Sequence, residues 1–310
     1  MRHVPVMVEE VVQYLLHDHS RVVVDATVGL GGHTEALLKA APGLRVIGVD
    51  RDVRALEAAA LRLSPFADRV RLVRGRVGDL GAALPGEGLV DGILLDLGVS
   101  SPQIDDPARG FAFGTSGSLD MRMGAEGETA REMLRRMSED EIAEMLRAYG
   151  EVTRAGRVAR AIRVAAAADA LQTTGHLRDA VHTALGRGVS PSELARVFQA
   201  VRIALNSELD DLRVFLDTVL GRLAPGGRLV VLAYHSLEDR MVKTFVRDES
   251  ATCVCPPSVP MCVCGRTPRV RPLTRRALRP TQAEIAANPR ARSARLRAVE
   301  KIATTGGARA

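Results

Sequence analysis

Within the first hundred residues, four short apolar runs alternate with helix-like stretches, and this alternation limits the fold more than any other feature of the chain. Arg21-Val-Val-Val-Asp25 is a β-branched run that breaks into the glycine-rich Val28-Gly-Leu-Gly-Gly-His33, and Thr34 to Ala41 then reads as a helix. Leu44-Arg-Val-Ile-Gly-Val49 is a second strand ending on Asp50, with an Ala/Leu-rich helix from about Val53 to Leu63. Val70-Arg-Leu-Val73 is a third strand, and Leu89-Val-Asp-Gly-Ile-Leu-Leu95 a fourth that closes on Asp96. Strands and helices taking turns at this spacing define an α/β chain of βαβ units around a parallel sheet. Such a sheet places ligands at the carboxyl ends of its strands.

After Asp105 the texture changes. Residues 105–118 are rich in Gly, Pro, Asp and Ser and read as a long loop with a functional role. Helices follow without strands. Ser138-Glu-Asp-Glu141 is a capping box leading into Ile142, Met145, Leu146 and Tyr149 on one face, with Gly150 placed to stop the helix. Thr153 to Leu171 and Leu177 to Leu185 are further helical stretches, and Ser190-Pro-Ser-Glu193 caps another. Leu209, Leu212, Phe215, Leu216, Val219, Leu220 and Leu223 then mark an amphipathic helix. The α/β pattern returns with a turn at Ala224-Pro-Gly-Gly227 and a strand over Arg228-Leu-Val-Val-Leu-Ala-Tyr234. The economical partition is an α/β domain over 1–109 and 205–310, interrupted by a helical insertion over 110–204 that serves substrate recognition. From about Cys253 the Pro- and Arg-rich tail reads as loop.

Charge is unevenly divided. From Arg266 to the end, twelve Lys and Arg face two Glu, a net +10; the first 265 residues carry 31 basic and 35 acidic groups, a net −4. A mildly acidic body with a basic tail points to a polyanion, nucleic acid before membrane, because the tail has no amphipathic apolar face. A solvated basic end without a partner is the plain alternative. No window approaches the roughly 18 apolar residues of a membrane span. The opening residues meet Glu9 and Glu10 too soon for a signal peptide, so a cytoplasmic protein without membrane partners is expected. Aromatics are 3% of residues, with no Trp, which argues against a surface of many stacked aromatics.

The chemistry-bearing residues sit at the strand ends. Gly29, Gly31 and Gly32 follow a strand and open a helix, where glycines let backbone approach a ligand and leave amide donors free. The pattern is G-x-G-G and not the G-x-G-x-x-G of dinucleotide folds, so a pyrophosphate is not required. Asp50 ends the next strand, 21 positions beyond Gly29, near the offset of about 20 at which an acid accepts ribose hydroxyls. A mere tight turn and an exposed strand-end carboxylate are the plain alternatives; together the two features point to an adenosine-containing ligand, without a choice between NAD and S-adenosylmethionine. At the fourth strand, Asp96 is followed by the Ser100-Ser101-Pro102 turn. Amino-methyltransferases acting on bases hold a short polar-Pro motif at this place. An exocyclic amine is a weak nucleophile, and acceptors that orient its N–H bonds help it attack a sulfonium methyl. Ordinary turn residues would read the same way. An NAD-dependent oxidoreductase, and an RNA-binding protein with a vestigial nucleoside pocket, are the competing functions.

Several motifs together carry a family resemblance. They are Asp25-Ala-Thr-Val-Gly-Leu-Gly-Gly-His33, Asp50-Arg-Asp52, Asp91-Gly-Ile-Leu-Leu-Asp-Leu-Gly-Val-Ser-Ser-Pro-Gln103, Arg109-Gly-Phe111 and Leu119-Asp-Met-Arg-Met123. Arg196-Val-Phe-Gln-Ala-Val-Arg-Ile203, Asn206-Ser-Glu-Leu209, Pro225-Gly-Gly-Arg228, His235-Ser-Leu-Glu-Asp-Arg240 and Asn288-Pro-Arg-Ala-Arg-Ser293 complete the set. From about His3 to Arg297 the chain resembles the MraW family, which methylates the exocyclic N4 of a cytidine in the decoding region of 16S rRNA. The resemblance implies a class I methyltransferase, Rossmann-like and mostly parallel with seven strands, carrying an inserted all-helical subdomain. It implies S-adenosyl-L-methionine as cofactor and 16S rRNA, within a small-subunit particle, as partner; a homo-oligomer stays open.

By motif match the cofactor contacts fall on Gly31, Gly32, His33, Asp50, Asp96 and Gln103, with Val77 standing where the family usually has Phe. Tyr234 likewise replaces a Phe. Ser100, Ser101, Pro102 and His235 are candidate base-positioning residues, with a helix cap at Ser236 and Asp239 as the structural alternative for the last motif. A catalytic base is not required, since the methylated amine can lose its proton to water. Phe111 and Phe113 are candidates for stacking on a base or for burial. All four cysteines fall in two close pairs, Cys253-x-Cys255 and Cys262-x-Cys264. A structural tetrathiolate zinc that pins the basic tail and four free thiols both suit them, and a reducing cytosol disfavours disulfides.

Overall fold

A computed structural model of the chain describes residues 5–84, 86, 88–186, 188–256 and 261–303. In chain order the elements are α1 (Val8–Leu15), β1 (Val22–Asp25), α2 (Gly32–Ala40), β2 (Arg45–Asp50), α3 (Val53–Arg62), β3 (Val70–Arg74), α4 (Leu80–Ala83) and β4 (Val90–Asp96). Six helices follow: α5 (Ser101–Asp105), α6 (Ala130–Arg136), α7 (Glu139–Gly150), α8 (Ala155–Ala167), α9 (Thr174–Leu185) and α10 (Pro191–Asn206). The rest are α11 (Glu208–Thr218), β5 (Leu223–Ala233), α12 (Ser236–Ser250), β6 (Val270–Pro272), α13 (Gln282–Ala287) and β7 (Arg295–Lys301).

The chain divides into two compact units, Met1–Gly98 with Asp210–Ala310, and Val99–Leu209. The first holds one sheet of seven strands among the described residues, ordered β3-β2-β1-β4-β5-β7-β6. β1 pairs in parallel with β2 and β4, β2 with β3, and β4 with β5, whereas β7 runs antiparallel to β5 and β6. Strand order reverses between β1 and β4, the switch point at which an open α/β sheet leaves a ligand crevice beyond its carboxyl ends. The strands are apolar on both faces because helices cover both. On one face Val24, Ile47, Val49, Ile93, Leu95 and Val231 join residues of α11 and α12. On the other, Val23, Val46, Leu94, Val230 and Leu232 join residues of α1, α2 and α3. Adjacent residues of one strand thus enter different cores, as a period of two requires.

Two expectations about this unit are corrected. The basic tail is not loop: Leu296, Ala298 and Val299 are buried in β7, which joins the sheet beside β5. Its charges are partly structural, since Arg295 and Arg297 pair with Asp239 of α12 at 2.7 and 2.8 Å and Arg271 pairs with Glu300. The turn at residues 224–227 lies inside β5. Val90 of β4 faces Leu223, yet Gly92 faces Arg228, so these four residues leave the ladder as a bulge in which Gly226 takes φ 79°.

The second unit is helical and begins earlier than residue 110, at Val99, because α5 and the 3-10 turn Pro107–Arg109 group with it. Its core gathers Leu134, Ile142, Leu146, Val158, Ile162, Leu177, Val181, Val197 and Val201. Capping boxes open its helices at Thr129/Glu132, Ser138/Glu141 and Ser190/Glu193. Gly150 closes α7 as its last residue, and the left-handed position falls on Glu151 at φ 50°. Asn206, at the end of α10, holds the loop of residues 119–123: its Oδ1 accepts the Met123 N–H and its Nδ2 donates to the Met121 carbonyl. Arg109 donates to the carbonyls of Arg122 and Met123, so separate motifs converge on one partly buried loop.

Candidate active site

The glycine loop is built where β1 runs out. Ala26 continues the ladder to β4 through its N–H to Leu94 O, and Val28 turns to β2 through its N–H to Val49 O, both at 2.9 Å. Gly29 and Gly31 take φ of 50° and 75°, in the left-handed region that a Cβ penalises. The glycine identities answer to protein packing as well. A Cβ on Gly31 would stand 3.0 Å from Leu63 Cδ1, and one on Gly32 would stand 2.9 Å from Pro5 Cγ. What the loop offers a ligand is therefore backbone: among the described residues no side chain caps α2, whose first-turn N–H groups open at the carboxyl edge of the sheet.

Asp50 closes β2 beside this loop. Its Oδ2 accepts the Gly29 N–H at 2.9 Å and its Oδ1 the Asp52 N–H at 2.8 Å, so the acid fixes the loop it serves. Burial pushes the carboxyl above its ordinary value, against the pull of these backbone donors. A carboxylate presents about four acceptor positions, and the N–H groups of Asp52, Gly29 and Arg51 take at most three. Acceptor capacity for a ribose hydroxyl remains. A glycine turn, a helix start with open amides and a half-buried acid with spare lone pairs form a set of donors and acceptors that fits a nucleoside.

Beneath the loop lies a polar network that the sequence alone does not display. Thr34 Oγ1 donates to Asp25 Oδ2 at 2.7 Å, and Thr27 Oγ1 accepts the Asp96 N–H at 2.7 Å, tying the ends of β1 and β4 together. His33 is buried; its Nε2 lies 2.8 Å from Val6 O and its Nδ1 3.5 Å from Asp96 Oδ2. Asp96 Oδ1 accepts the Tyr234 hydroxyl at 2.8 Å. Desolvation pushes Asp25 up to about 6, opposed by His33 and by Thr34, and raises Asp96 and Tyr234 from their ordinary values. His33 is thus a brace between residue 6 and Asp96. Tyr234 uses the hydroxyl that a Phe would lack.

At the end of β5 the cap of α12 is His235 itself and not Ser236. His235 Nδ1 accepts the Glu238 N–H, and Glu238 Oε2 accepts the N–H groups of His235 and Tyr234. His235 Nε2 stands 3.1 Å from Glu238 Oε1 without hydrogen-bond geometry and is buried. Asp239, the other expected cap residue, instead holds Arg295 and Arg297. Val77 opens a 3-10 turn, Val77–Asp79, and packs partly buried against the core beneath it with Leu80 and Ala83.

In the helical unit, Ser100 and Gln103 form a reciprocal capping box at the start of α5, with Gln103 Oε1 accepting the Ser100 N–H at 3.0 Å. The carbonyl end of Gln103 is committed to this turn, which also contains Ser101 and Pro102. Phe113 packs edge-to-face on Phe198 at 5.8 Å and Phe111 packs on the same core, so both serve the interior. The four cysteine sulfurs, remote in sequence from these groups, lie within 4.8 Å of one another.

A Rossmann-like sheet with an antiparallel seventh strand, a glycine loop after β1 and an acid closing β2 define a class I methyltransferase. The chain belongs to the MraW methylase family, whose model matches residues 1–302. It is 47% identical over 306 residues to a ribosomal RNA small subunit methyltransferase H of Anaeromyxobacter sp. (strain K), covering 97% of this chain and 98% of that one. A protein of the same name from Thermobifida fusca is 48% identical over 308 residues, with 96% and 93% covered. Among solved structures, an rRNA methylase from Streptococcus thermophilus aligns over 96% of this chain and 94% of its own at 13% identity. Its TM-score of 0.41 is too low to inform the site.

Proposed function

We propose that this chain transfers the methyl group of S-adenosylmethionine to the exocyclic N4 amino group of a cytidine in the decoding region of 16S rRNA, in the cytoplasm and within a small-subunit particle. The observation that carries the cofactor is Asp50, at the end of β2, held against the Gly29 amide of the loop that follows β1. The names of the relatives support an rRNA substrate. Bound in this crevice, the cofactor supplies a sulfonium methyl group open to displacement by an amine. Asp50 accepts the ribose, the amides at the start of α2 meet polar groups of the ligand, and Asp96 lies at the end of β4 for its amino-acid portion. His33, Thr27 and Tyr234 hold Asp96 in place.

Four residues past Asp96 along the chain, the Ser100-Ser101-Pro102 turn is the proposed element that orients the target amine, and its capping box fixes the main chain there. His235 is proposed as a positioning group: its Nδ1 already caps α12, so the proton of the methylated amine leaves to water. A paired N4 is hydrogen-bonded and stacked, so the base must enter single-stranded or splayed. In the helical unit, Arg147, Arg154 and Arg157 line an open basin of about 430 Å³ at the start of α8, a surface suited to phosphates.

The test is single-turnover transfer of labelled methyl to small-subunit particles from cells lacking the protein, with nucleoside mass spectrometry of the 16S rRNA. N4-methylated cytidine at one decoding-region position is expected. Label on another base, on a ring atom, or on no RNA would refute the reading.

A further inference from the structure

Between α12 and β6, residues 251–269 form no helix or strand among those described, and they carry all four cysteines. No two are bonded to each other, yet their Sγ atoms lie within 4.8 Å of one another. Cys262 and Cys264 are 3.5 Å apart and Cys264 and Cys253 3.9 Å. Four sulfurs around one zinc at about 2.3 Å stand about 3.8 Å from each other, so the observed spacing is that of a tetrahedral shell and not of a disulfide.

The backbone is arranged around the sulfurs as well. Val254, the residue between Cys253 and Cys255, gives its N–H to Cys264 Sγ at 3.5 Å. Val263, the residue between Cys262 and Cys264, gives its N–H to Cys255 Sγ at 3.5 Å. Each Cys-x-Cys segment thus donates from its middle to a sulfur of the other, and Cys255 N–H adds a bond to Cys253 Sγ at 3.4 Å. Such donors stabilise thiolate charge and orient ligands. Among the described residues no apolar core explains the convergence, since Val254, Met261 and Val263 are 57%, 76% and 80% exposed.

We propose that Cys253, Cys255, Cys262 and Cys264 bind one zinc ion as thiolates, in a closed structural site independent of methyl transfer. All four positions of the tetrahedron are protein sulfur, which leaves none for substrate or water. The knuckle is clamped at its base. Arg269 gives its N–H to Glu249 O at 2.8 Å and pairs with the Glu249 carboxylate, and the Arg266 guanidinium donates to Asp248 O. The metal therefore fixes the path from the last turn of α12 into β6, the outer strand beside β7.

Plasma mass spectrometry of the full chain, purified without chelators, is expected to find one zinc per chain. The Cys262→Ser/Cys264→Ser variant is expected to lose it. Replacement by cobalt should bring thiolate-to-cobalt charge-transfer absorption with the visible bands of tetrahedral cobalt. Chelation should speed amide exchange in β6 while calorimetric affinity for S-adenosylhomocysteine stays unchanged, which separates failure here from failure of the methyl-transfer reading. Should the double variant not fold, the wild-type zinc content and cobalt spectrum still decide. Four freely titrating thiols without stoichiometric metal, a disulfide, or iron in place of zinc each overturn the proposal.

Discussion

Replacing Asp50 by Ala isolates the group on which the proposed cofactor recognition rests. The carboxylate binds the Gly29 and Asp52 amides at 2.9 and 2.8 Å and retains acceptor capacity for ribose. One charge-assisted hydrogen bond contributes about 1.5–3 kcal/mol, so losing a single ribose bond weakens binding about 10- to 150-fold. The loop also loses its tether, which adds to the deficit without specifying ribose. Calorimetric titration with S-adenosylhomocysteine measures the whole effect. A second titration, with 5′-methylthioadenosine and its 2′- and 3′-deoxy forms, separates the two parts. Deleting the hydroxyl that Asp50 accepts should cost the wild type about tenfold or more and the variant little, because the partner is already gone. Equal losses in both proteins, or an unchanged affinity in the variant, would show that the acid does not meet the sugar.

Three further outcomes follow from the network and the tail. Asp25, pushed up to about 6, binds a proton in the native state that the unfolded chain releases above about 4. Native stability should fall by up to about 3 kcal/mol as pH rises through that window, and urea unfolding of Asp25→Asn should lack this component. Tyr234→Phe removes a donor from half-buried Asp96, which should cost about 1–2 kcal/mol at neutral pH and less as falling pH protonates the acid; a pH-independent loss would contradict the role. Truncating the tail would delete β7 from the sheet, so its RNA role is better probed by Arg275→Ser/Arg276→Ser/Arg279→Ser, three exposed positions. If all three meet phosphates, the slope of log affinity against log salt should fall by about 2, and an unaltered slope would place the contacts elsewhere.

What the sequence discloses, and what it hides, follows from how many strands a role involves. The Gly29–Gly32 loop and Asp50 are legible because each belongs to one βα unit, where offset along the chain stands in for distance. The brace of His33, Asp96 and Tyr234 joins α2 with the ends of β4 and β5, and only a sheet order of β1-β4-β5 makes these residues neighbours. Position 234 therefore reads in sequence as a neutral exchange of one ring for another, although its hydroxyl has a partner 138 residues away. The tail is misread for a related reason. Arg295 and Arg297 are two of its twelve basic residues, but they alternate with buried Leu296 and Ala298, and their charge is met by Asp239 on α12. Alternation over so few residues, flanked by arginines, signals a strand only once the acid that pairs with them is known. The same pairing explains why Asp239 does not cap its own helix: that position falls to His235, whose backbone at φ −137° and ψ 166° is already extended as β5 ends. With Nδ1 accepting from the Glu238 amide, His235 is committed to the entry of α12, in keeping with the proposal that it positions the amine and does not take its proton.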